Sequence, residues 1–103
     1  MLDVRTVLVE GTRAYLRLCG ELDRATADSL TGVLDQQFAS GRRVIHLDLS
    51  GLSFIDYDGL RTVVHAHNEC LARGGSLILN HIEASTGRLL ELTKLSEALF
   101  IND

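Results

Sequence analysis

The sequence predicts an α/β fold: a mixed, mainly parallel sheet of about five strands packed with three helices. The chain begins with two strand-like segments separated by a turn, and it continues with helical and strand-like segments that alternate. Each strand–helix–strand crossover is right-handed and brings the next strand back in the same direction, so the later strands are parallel. The initial hairpin makes the sheet mixed.

Length and composition predict one small domain, residues 1–103. The chain has 103 residues, 46% of them hydrophobic and 23% charged, which is typical of a globular protein with its own core. Its net charge of −4 and its single lysine give no basic stripe for phosphates, so nucleic acid is not an expected partner. No apolar run approaches the length of a membrane span, and the N-terminus has no signal-peptide pattern, so we expect a cytoplasmic protein.

The first two strands are predicted in "VRTVLVE" and "RAYLRLCG", with the turn at Gly11 and Thr12. The next segment has apolar residues at helical spacing, with Thr26 as the predicted N-cap and Gly41 as the predicted C-cap. These apolar residues are Ala27, Leu30, Val33, Leu34 and Phe38.

The segment "RVIHLDLS" is almost entirely apolar and predicts a central strand covered on both faces. A second helix is predicted from Asp58 to Gly74, with one apolar face. That face contains Leu60, Val63, Val64, His67 and Leu71. A short strand in "SLILN", a third helix in "ASTGRLLELTKL" and a last strand in "ALFI" complete the chain.

Polar residues follow two of the predicted strands, in "GELD" and in "FIDYDG". Loops beyond the carboxyl ends of parallel strands are where α/β sheets place their function. If these two strands are neighbours, Glu21, Asp23, Asp56 and Asp58 share one rim. The pattern predicts Asp58 as the N-cap of the second helix, and it leaves Asp56 between a turn-stabilising role and a binding role.

A catalytic role has little support in the sequence. Asp48, Asp56 and Asp58 could form a Mg²⁺ or phosphoryl-acceptor cluster, but Asp48 lies inside a predicted strand and no nucleophile–base pair or phosphate loop accompanies it. His65 and His67 are two apart on a helix and point to different sides, so they cannot chelate one ion. We therefore expect no enzyme activity, no metal and no cofactor.

The two cysteines, Cys19 and Cys70, have no CxxC spacing. We expect them to be separate, buried and reduced, with no bridge between them. Whether either has a redox role stays open.

Four segments resemble the STAS domain, and specifically the bacterial anti-sigma factor antagonists. The segments are "LCGELDRATADSL", "VIHLDLSGLSFIDYDGL", "RGGSLILN" and "LLELTKLSEALFI", in the order and spacing of that family. The resemblance implies a non-enzymatic switch that binds an anti-sigma factor, often a serine kinase, and so frees a sigma factor for transcription. An alternative is a STAS module of another assembly, such as a stress-signalling complex or the cytoplasmic part of a transporter.

In relatives, the residue before the glycine of the second motif is commonly a serine that the kinase phosphorylates. The matching residue here is Asp58, and its neighbour Tyr57 also replaces a common serine. Asp58 thus puts a permanent charge where a phosphate would stand. The expected partner-binding residues are Glu21, Asp23, Asp56, Tyr57, Asp58, Gly59, Leu60, Arg61 and His65. The last strand would leave an edge of the sheet available for a homodimer.

Overall fold

The computed structural model describes residues 1–93 and 100–102. It contains β1 (Leu2–Glu10), β2 (Arg13–Leu22), α1 (Ala27–Ala39), β3 (Val44–Ile55), α2 (Tyr57–Ala72), β4 (Ser76–Asn80), α3 (Ala84–Thr93) and β5 (Phe100–Asn102). The strands form one sheet in the order β1-β2-β3-β4-β5, in which β1 is antiparallel to β2 and the other neighbours are parallel. The predicted fold class is confirmed. The predicted end of the third helix and start of the last strand, residues 94–99, lie outside the described residues.

The hairpin between β1 and β2 turns at Gly11 and Thr12, as predicted. Gly11 adopts a φ of 59°, which a residue without a Cβ reaches without strain. One extra residue, Val7, interrupts the register between Thr6 and Leu8 as a bulge. The segment from Leu2 to Thr6 therefore forms a regular ladder with β2 before the bulge.

One face of the sheet carries the hydrophobic core. Alternate residues of the three central strands are buried together with the inner faces of α1 and α2. The strand residues are Ala14, Leu16, Leu18, Ile45, Leu47, Leu49, Leu77 and Leu79, and the main helix residues are Leu30, Leu34, Phe38, Leu60, Val63, Ala66 and Cys70. The domain thus has two layers, in which α1 and α2 pack against one face of β2, β3 and β4.

The opposite face of β2 and β3 is open among the described residues. Tyr15 and His46 stack there with ring centroids 4.5 Å apart, and Arg17 Nε donates to Asp48 Oδ2 at 3.2 Å. The prediction that β3 is covered on both faces is therefore wrong for the described part of the chain. An apolar run signals burial, but His46 and Asp48 within it mark the face that the helices leave uncovered.

Both long helices end beside the predicted glycines, but the C-cap of α1 is Ser40, one residue before the predicted Gly41, and the C-cap of α2 is Arg73, directly before Gly74. Gly41 and Gly74 have φ values of 90° and 80°, and each donates its N–H three residues back, to Phe38 O and Leu71 O.

The buried face of α2 includes the predicted Leu60, Val63 and His67, but Val64 is only half-buried and Leu71 is 46% exposed. The unpredicted Gly59, Ala66 and Cys70 are buried instead. His67 is buried, and its Nδ1 donates to Leu77 O at 3.4 Å.

Both cysteines are free thiols. Burial raises the pKa of the Cys70 thiol to about 11 against a smaller opposite effect of Arg73. Cys19 is only partly buried, so the expectation that both cysteines are buried is correct for Cys70 alone. Among the described helices, none has the length and apolar character needed to cross a membrane.

Candidate functional site

The two polar loops predicted to share a rim do lie side by side. Leu22, the last residue of β2, pairs with Ile55, the last residue of β3. Beyond this pair, Asp56 N donates to Leu22 O at 3.3 Å. We call residues 21–26, which include the end of β2, the first rim loop. We call residues 56–59, which include the first residues of α2, the second rim loop, and the two together the rim.

The first rim loop is held by two side chains. Asp23 Oδ1 accepts the N–H groups of Ala25 and Thr26 at 3.0 and 3.1 Å. Thr26 Oγ1 accepts from Asp23 N at 3.0 Å and donates to Glu21 O at 2.8 Å. Thr26 is the N-cap of α1 by position, as predicted, but it makes no side-chain capping bond because its hydroxyl is turned back into the loop.

The second rim loop corrects the prediction about its two aspartates. Asp56 is the N-cap of α2, and its Oδ1 accepts from Gly59 N at 2.8 Å. Asp58 therefore does not cap the helix but lies exposed in its first turn. The reason is that α2 begins at Tyr57, directly after the end of β3, so the residue with extended backbone in front of the helix is Asp56.

Gly59 and Leu60 are buried rather than available to a partner. A Cβ on Gly59 would overlap the Leu22 carbonyl group, so the close approach of α2 to the end of β2 requires glycine at this position. Leu60 has no exposed surface. The prediction that these two residues contact a partner is wrong, because they support the rim from below.

The exposed residues of the rim continue along α2. Asp58, Arg61 and His65 line one side of a shallow groove of about 320 Å³, whose other side is formed by Arg24 of the first rim loop and Asp28 of α1. The groove is therefore lined by charges of both signs.

Two aromatic side chains, one near the end of β3 and one at the start of α2, are exposed. Tyr57 is 50% exposed, and the Arg61 guanidinium carbon lies 6.0 Å from the centre of its ring. Phe54, near the end of β3, is 51% exposed. Such rings are the kind of side chain that anchors protein interfaces.

Sequence reasoning missed Phe54, Arg24 and Asp28. Phe54 follows an irregularity in the β2–β3 register, which disrupts the alternation that would have marked its face. Arg24 and Asp28 reach the groove only through the packing of α1 against α2, for which the sequence pattern carries no signal.

The acidic groups of the rim are engaged to different degrees. Glu21 Oε1 accepts from the Met1 ammonium at 2.7 Å, and this bond raises the pKa of that amine. Asp23 and Asp56 are occupied by backbone amides, as described above. Within the described residues, Asp58 is the rim carboxylate for which we find no hydrogen bond or ion pair from its own side chain.

Asp48 does not join these carboxylates. It lies in the middle of β3, on the open face, where its carboxylate accepts from Arg17 and from Ser50 N. Burial opposes ionisation of Asp48, but the bonds from Ser50 and Arg17 outweigh it and lower the pKa of this carboxyl group. The three aspartates considered for a catalytic cluster are therefore not assembled into one site.

The fold and the rim define the class: a small α/β domain with its exposed polar rim at the carboxyl ends of two parallel strands. The STAS-domain family model matches residues 4–103, and the chain belongs to the STAS-domain family.

Similar proteins include regulators of sigma factors. The anti-sigma-B factor antagonist of Staphylococcus aureus (strain NCTC 8325 / PS 47) is 28% identical over 88 residues, covering 85% of this chain and 82% of that protein. The anti-sigma factor antagonist SpoIIAA in its unphosphorylated form superposes with a TM-score of 0.76 at 20% identity, covering 98% of this chain and 88% of that one. A sulfate transporter family protein from Wolinella succinogenes superposes with a TM-score of 0.75 at 25% identity, covering 89% and 75%.

Proposed function

We propose that this protein is an anti-sigma factor antagonist, a non-enzymatic binding module that regulates sigma-factor-dependent transcription. The observation that carries the proposal is Asp58: an exposed carboxylate without a structural task, at the start of α2, on the surface that two rim loops and two helices form. The similarity to antagonists of Staphylococcus and to SpoIIAA supports the same class. A cytoplasmic location is part of the proposal, since sigma factors act there.

The proposed binding surface consists of the exposed residues around the rim. Tyr57, Asp58, Arg61 and His65 would contact the partner directly, together with Glu21 and the exposed part of Phe54. Asp23 and Asp56 contribute by holding the two loops in shape. The carboxylates favour approach of a partner with a basic surface, because complementary charge speeds association.

The same geometry explains how a phosphate could act at this position in relatives. The first turn of a helix presents unpaired N–H groups and positive potential, which stabilise an anion. A phosphate adds a charge of about −1.5 to −2, whereas a carboxylate adds −1 on a smaller group. Asp58 therefore acts as a weaker, permanent form of that signal and lowers affinity for the anti-sigma factor.

The proposal is tested with anti-sigma factors encoded in the same genome. Purified protein is titrated with each candidate by calorimetry, and binding by at least one is expected. Asp23→Arg should weaken binding and, in stopped-flow mixing, slow association, because it reverses a rim charge and removes the two bonds that hold the first rim loop, whereas Glu10→Lys, at the opposite end of the sheet, should do neither. Binding that is weakened by Glu10→Lys but not by any rim variant would contradict the placement of the surface.

Phosphorylation provides a separate test when the partner is a kinase. With Asp58 in place of serine, incubation with the kinase and ATP should leave the rim unmodified in an intact-mass measurement. A phosphate mapped between Ile55 and Leu60, including on Tyr57, would contradict the expectation that this rim is permanently charged.

A second candidate function is a STAS module of a larger assembly. The similarity to the sulfate transporter family protein of Wolinella succinogenes favours it. In that case, affinity purification from the native cell would recover a transporter or a signalling complex rather than an anti-sigma factor.

A further inference from the structure

The outer edge of β1 is unusual for an edge strand. β1 is the first strand of the sheet and pairs only with β2 among the described strands. Edge strands expose a row of unpaired backbone groups, and proteins protect them with short strands, proline, charged side chains or bulges. In β1 the bulge at Val7 leaves the segment from Leu2 to Thr6 regular, and the charges there, Asp3 and Arg5, are of opposite sign. β1 has nine residues, and the chain contains no proline. The edge is thus open to pairing with another strand.

The register with β2 shows which backbone groups face outward. Met1 O accepts from Glu21 N at 3.2 Å, and Leu2 lies opposite Gly20. Since bonded and non-bonded pairs alternate in an antiparallel ladder, Asp3 and Arg5 direct their backbone groups towards β2. The N–H and C=O groups of Leu2, Val4 and Thr6 consequently point away from the sheet.

This pattern is self-complementary about Val4. A two-fold axis through Val4 would place it opposite Val4 of a second copy and Leu2 opposite Thr6 of that copy. All three outward-facing residues then form bonded pairs, each exchanging two hydrogen bonds.

The side chains favour the same register. Asp3 and Arg5 are both exposed, and within one chain Arg5 Nε donates to Asp3 Oδ2 at 2.7 Å. About the axis at Val4, Asp3 lies opposite Arg5 of the second copy in a non-bonded pair, where side chains are closest. Four charges of alternating sign then lie on one face of the interface between the two β1 strands.

Neighbouring registers are disfavoured by the same residues. An axis at Asp3 would place two aspartates opposite each other, and an axis at Arg5 would place two arginines opposite each other. An axis between residues would set outward backbone groups against inward ones and lose the hydrogen bonds. Among these registers, the axis at Val4 satisfies both the backbone and the charges.

We propose that two copies of this chain pair through β1, antiparallel and centred on Val4, to form a homodimer with one continuous sheet. This interface is formed by β1, which β2 separates from β3 and the second rim loop, so the proposed dimer does not depend on the proposed partner binding. An interface made by two edge strands alone buries less than the roughly 1,200 Å² at the lower end of standard protein interfaces, so the dimer exchanges with monomer. The β5 edge, considered from the sequence, has only three described residues for pairing.

Charge reversal tests the register directly. Sedimentation of the wild-type chain should show monomer and dimer in a concentration-dependent equilibrium. Asp3→Arg and Arg5→Asp, each alone, place like charges opposite each other and should weaken dimerisation about tenfold or more. An equimolar mixture of the two variants restores opposite charges in every pair and should form a heterodimer. A wild type that stays monomeric up to millimolar concentration, or a dimer that neither reversal weakens, would overturn the proposal.

A backbone variant tests the hydrogen bonds. Val4→Pro removes an N–H that faces away from β2, so the ladder with β2 keeps its hydrogen bonds. The two hydrogen bonds at the centre of the dimer interface are lost. Val4→Thr is the matched control, because it keeps both the N–H and the branched side chain. We expect Val4→Pro to be monomeric and Val4→Thr to dimerise. A folded Val4→Pro that dimerises like wild type would contradict the proposal, and if Val4→Pro does not fold, the charge-reversal mixture decides.

Discussion

The two rim loops make the same kind of strand-to-helix connection, but the aspartate that stabilises each one binds different backbone amides. Each leads from the end of a parallel strand to the start of a helix, and each contains two acidic residues. In the first, Asp23 binds two amides of the loop itself, ahead of α1. In the second, Asp56 binds the amide of Gly59 inside the first turn of α2. The second loop is the shorter connection, since α2 begins two residues after the end of β3, and the first loop has more side-chain hydrogen bonds.

The comparison teaches which acid in each loop is free for function. The aspartate that binds backbone amides is needed for the loop's shape, whereas Glu21 binds only the exposed Met1 ammonium and Asp58 makes no side-chain bond among the described residues. Asp58 lies beside a helix N-terminus that Asp56 already caps, so its charge has no capping task. In the proposed function, structural and regulatory charge are thereby separated onto two residues that are only two positions apart.

The largest expected effect tests how tightly the second loop is packed. Gly59→Ala places a methyl group against the Leu22 carbonyl and should lower the free energy of unfolding by about 3 kcal/mol. The matched control is Gly32→Ala in the middle of α1, where a Cβ meets no atom within 4 Å and helix propensity should add up to about 1 kcal/mol. Urea unfolding measures the free energy of unfolding of both variants. Equal free energies for Gly59→Ala and Gly32→Ala would contradict the claim that Gly59 is closely packed against Leu22.

Removing the cap of α2 should have the next largest effect. Asp56→Ala loses the bond to Gly59 N and should cost about 0.5–2 kcal/mol, whereas Asp56→Asn retains an acceptor oxygen and should cost less. Asp58→Ala loses only a favourable interaction with the helix dipole, about 0.3–1 kcal/mol. The measurement is the urea midpoint at constant m-value. If Asp58→Ala were the more damaging of the two alanine variants, the assignment of the cap would be wrong.

The first loop should respond more weakly. Asp23→Ala removes two hydrogen bonds of a partly exposed loop and should cost about 0.5–1.5 kcal/mol. Glu21→Ala, whose partner is the exposed Met1 ammonium, should leave stability nearly unchanged. Amide hydrogen exchange of Ala25 and Thr26 should accelerate in Asp23→Ala and not in Glu21→Ala. Acceleration in both would mean that Glu21 also holds the loop.

The predicted fold followed from patterns that are local in sequence. The hairpin at Gly11, the ends of α1 and α2 beside Gly41 and Gly74, and the alternation in β2 all depend on residues near one another along the chain. The grouping of "GELD" and "IDYDG" at one rim required only that β2 and β3 be neighbours. The register at Leu22 and Ile55 confirms it.

What the sequence could not predict depends on where a strand stops and on what lies across from a residue. Asp56 and Asp58 are both acceptable N-caps, and only the end of β3 at Ile55 decides between them. The burial of Gly59 comes from Leu22 in another strand, and the groove beside Asp58 comes from α1. These are tertiary contacts, and they cannot be predicted from the spacing of residues along one helix.

The most direct test of the central claim is the affinity of Asp58→Ser for the anti-sigma factor. Because Asp56 supplies the cap, this variant should lose no more than about 1 kcal/mol of stability, and it removes the charge from the first turn of α2. The account predicts that calorimetric affinity rises by about tenfold relative to wild type, while Asp28→Ser on the α1 side of the groove has a smaller effect. Affinity of Asp58→Ser that is unchanged or weaker, with the fold intact, would contradict the claim that the charge of Asp58 restrains binding.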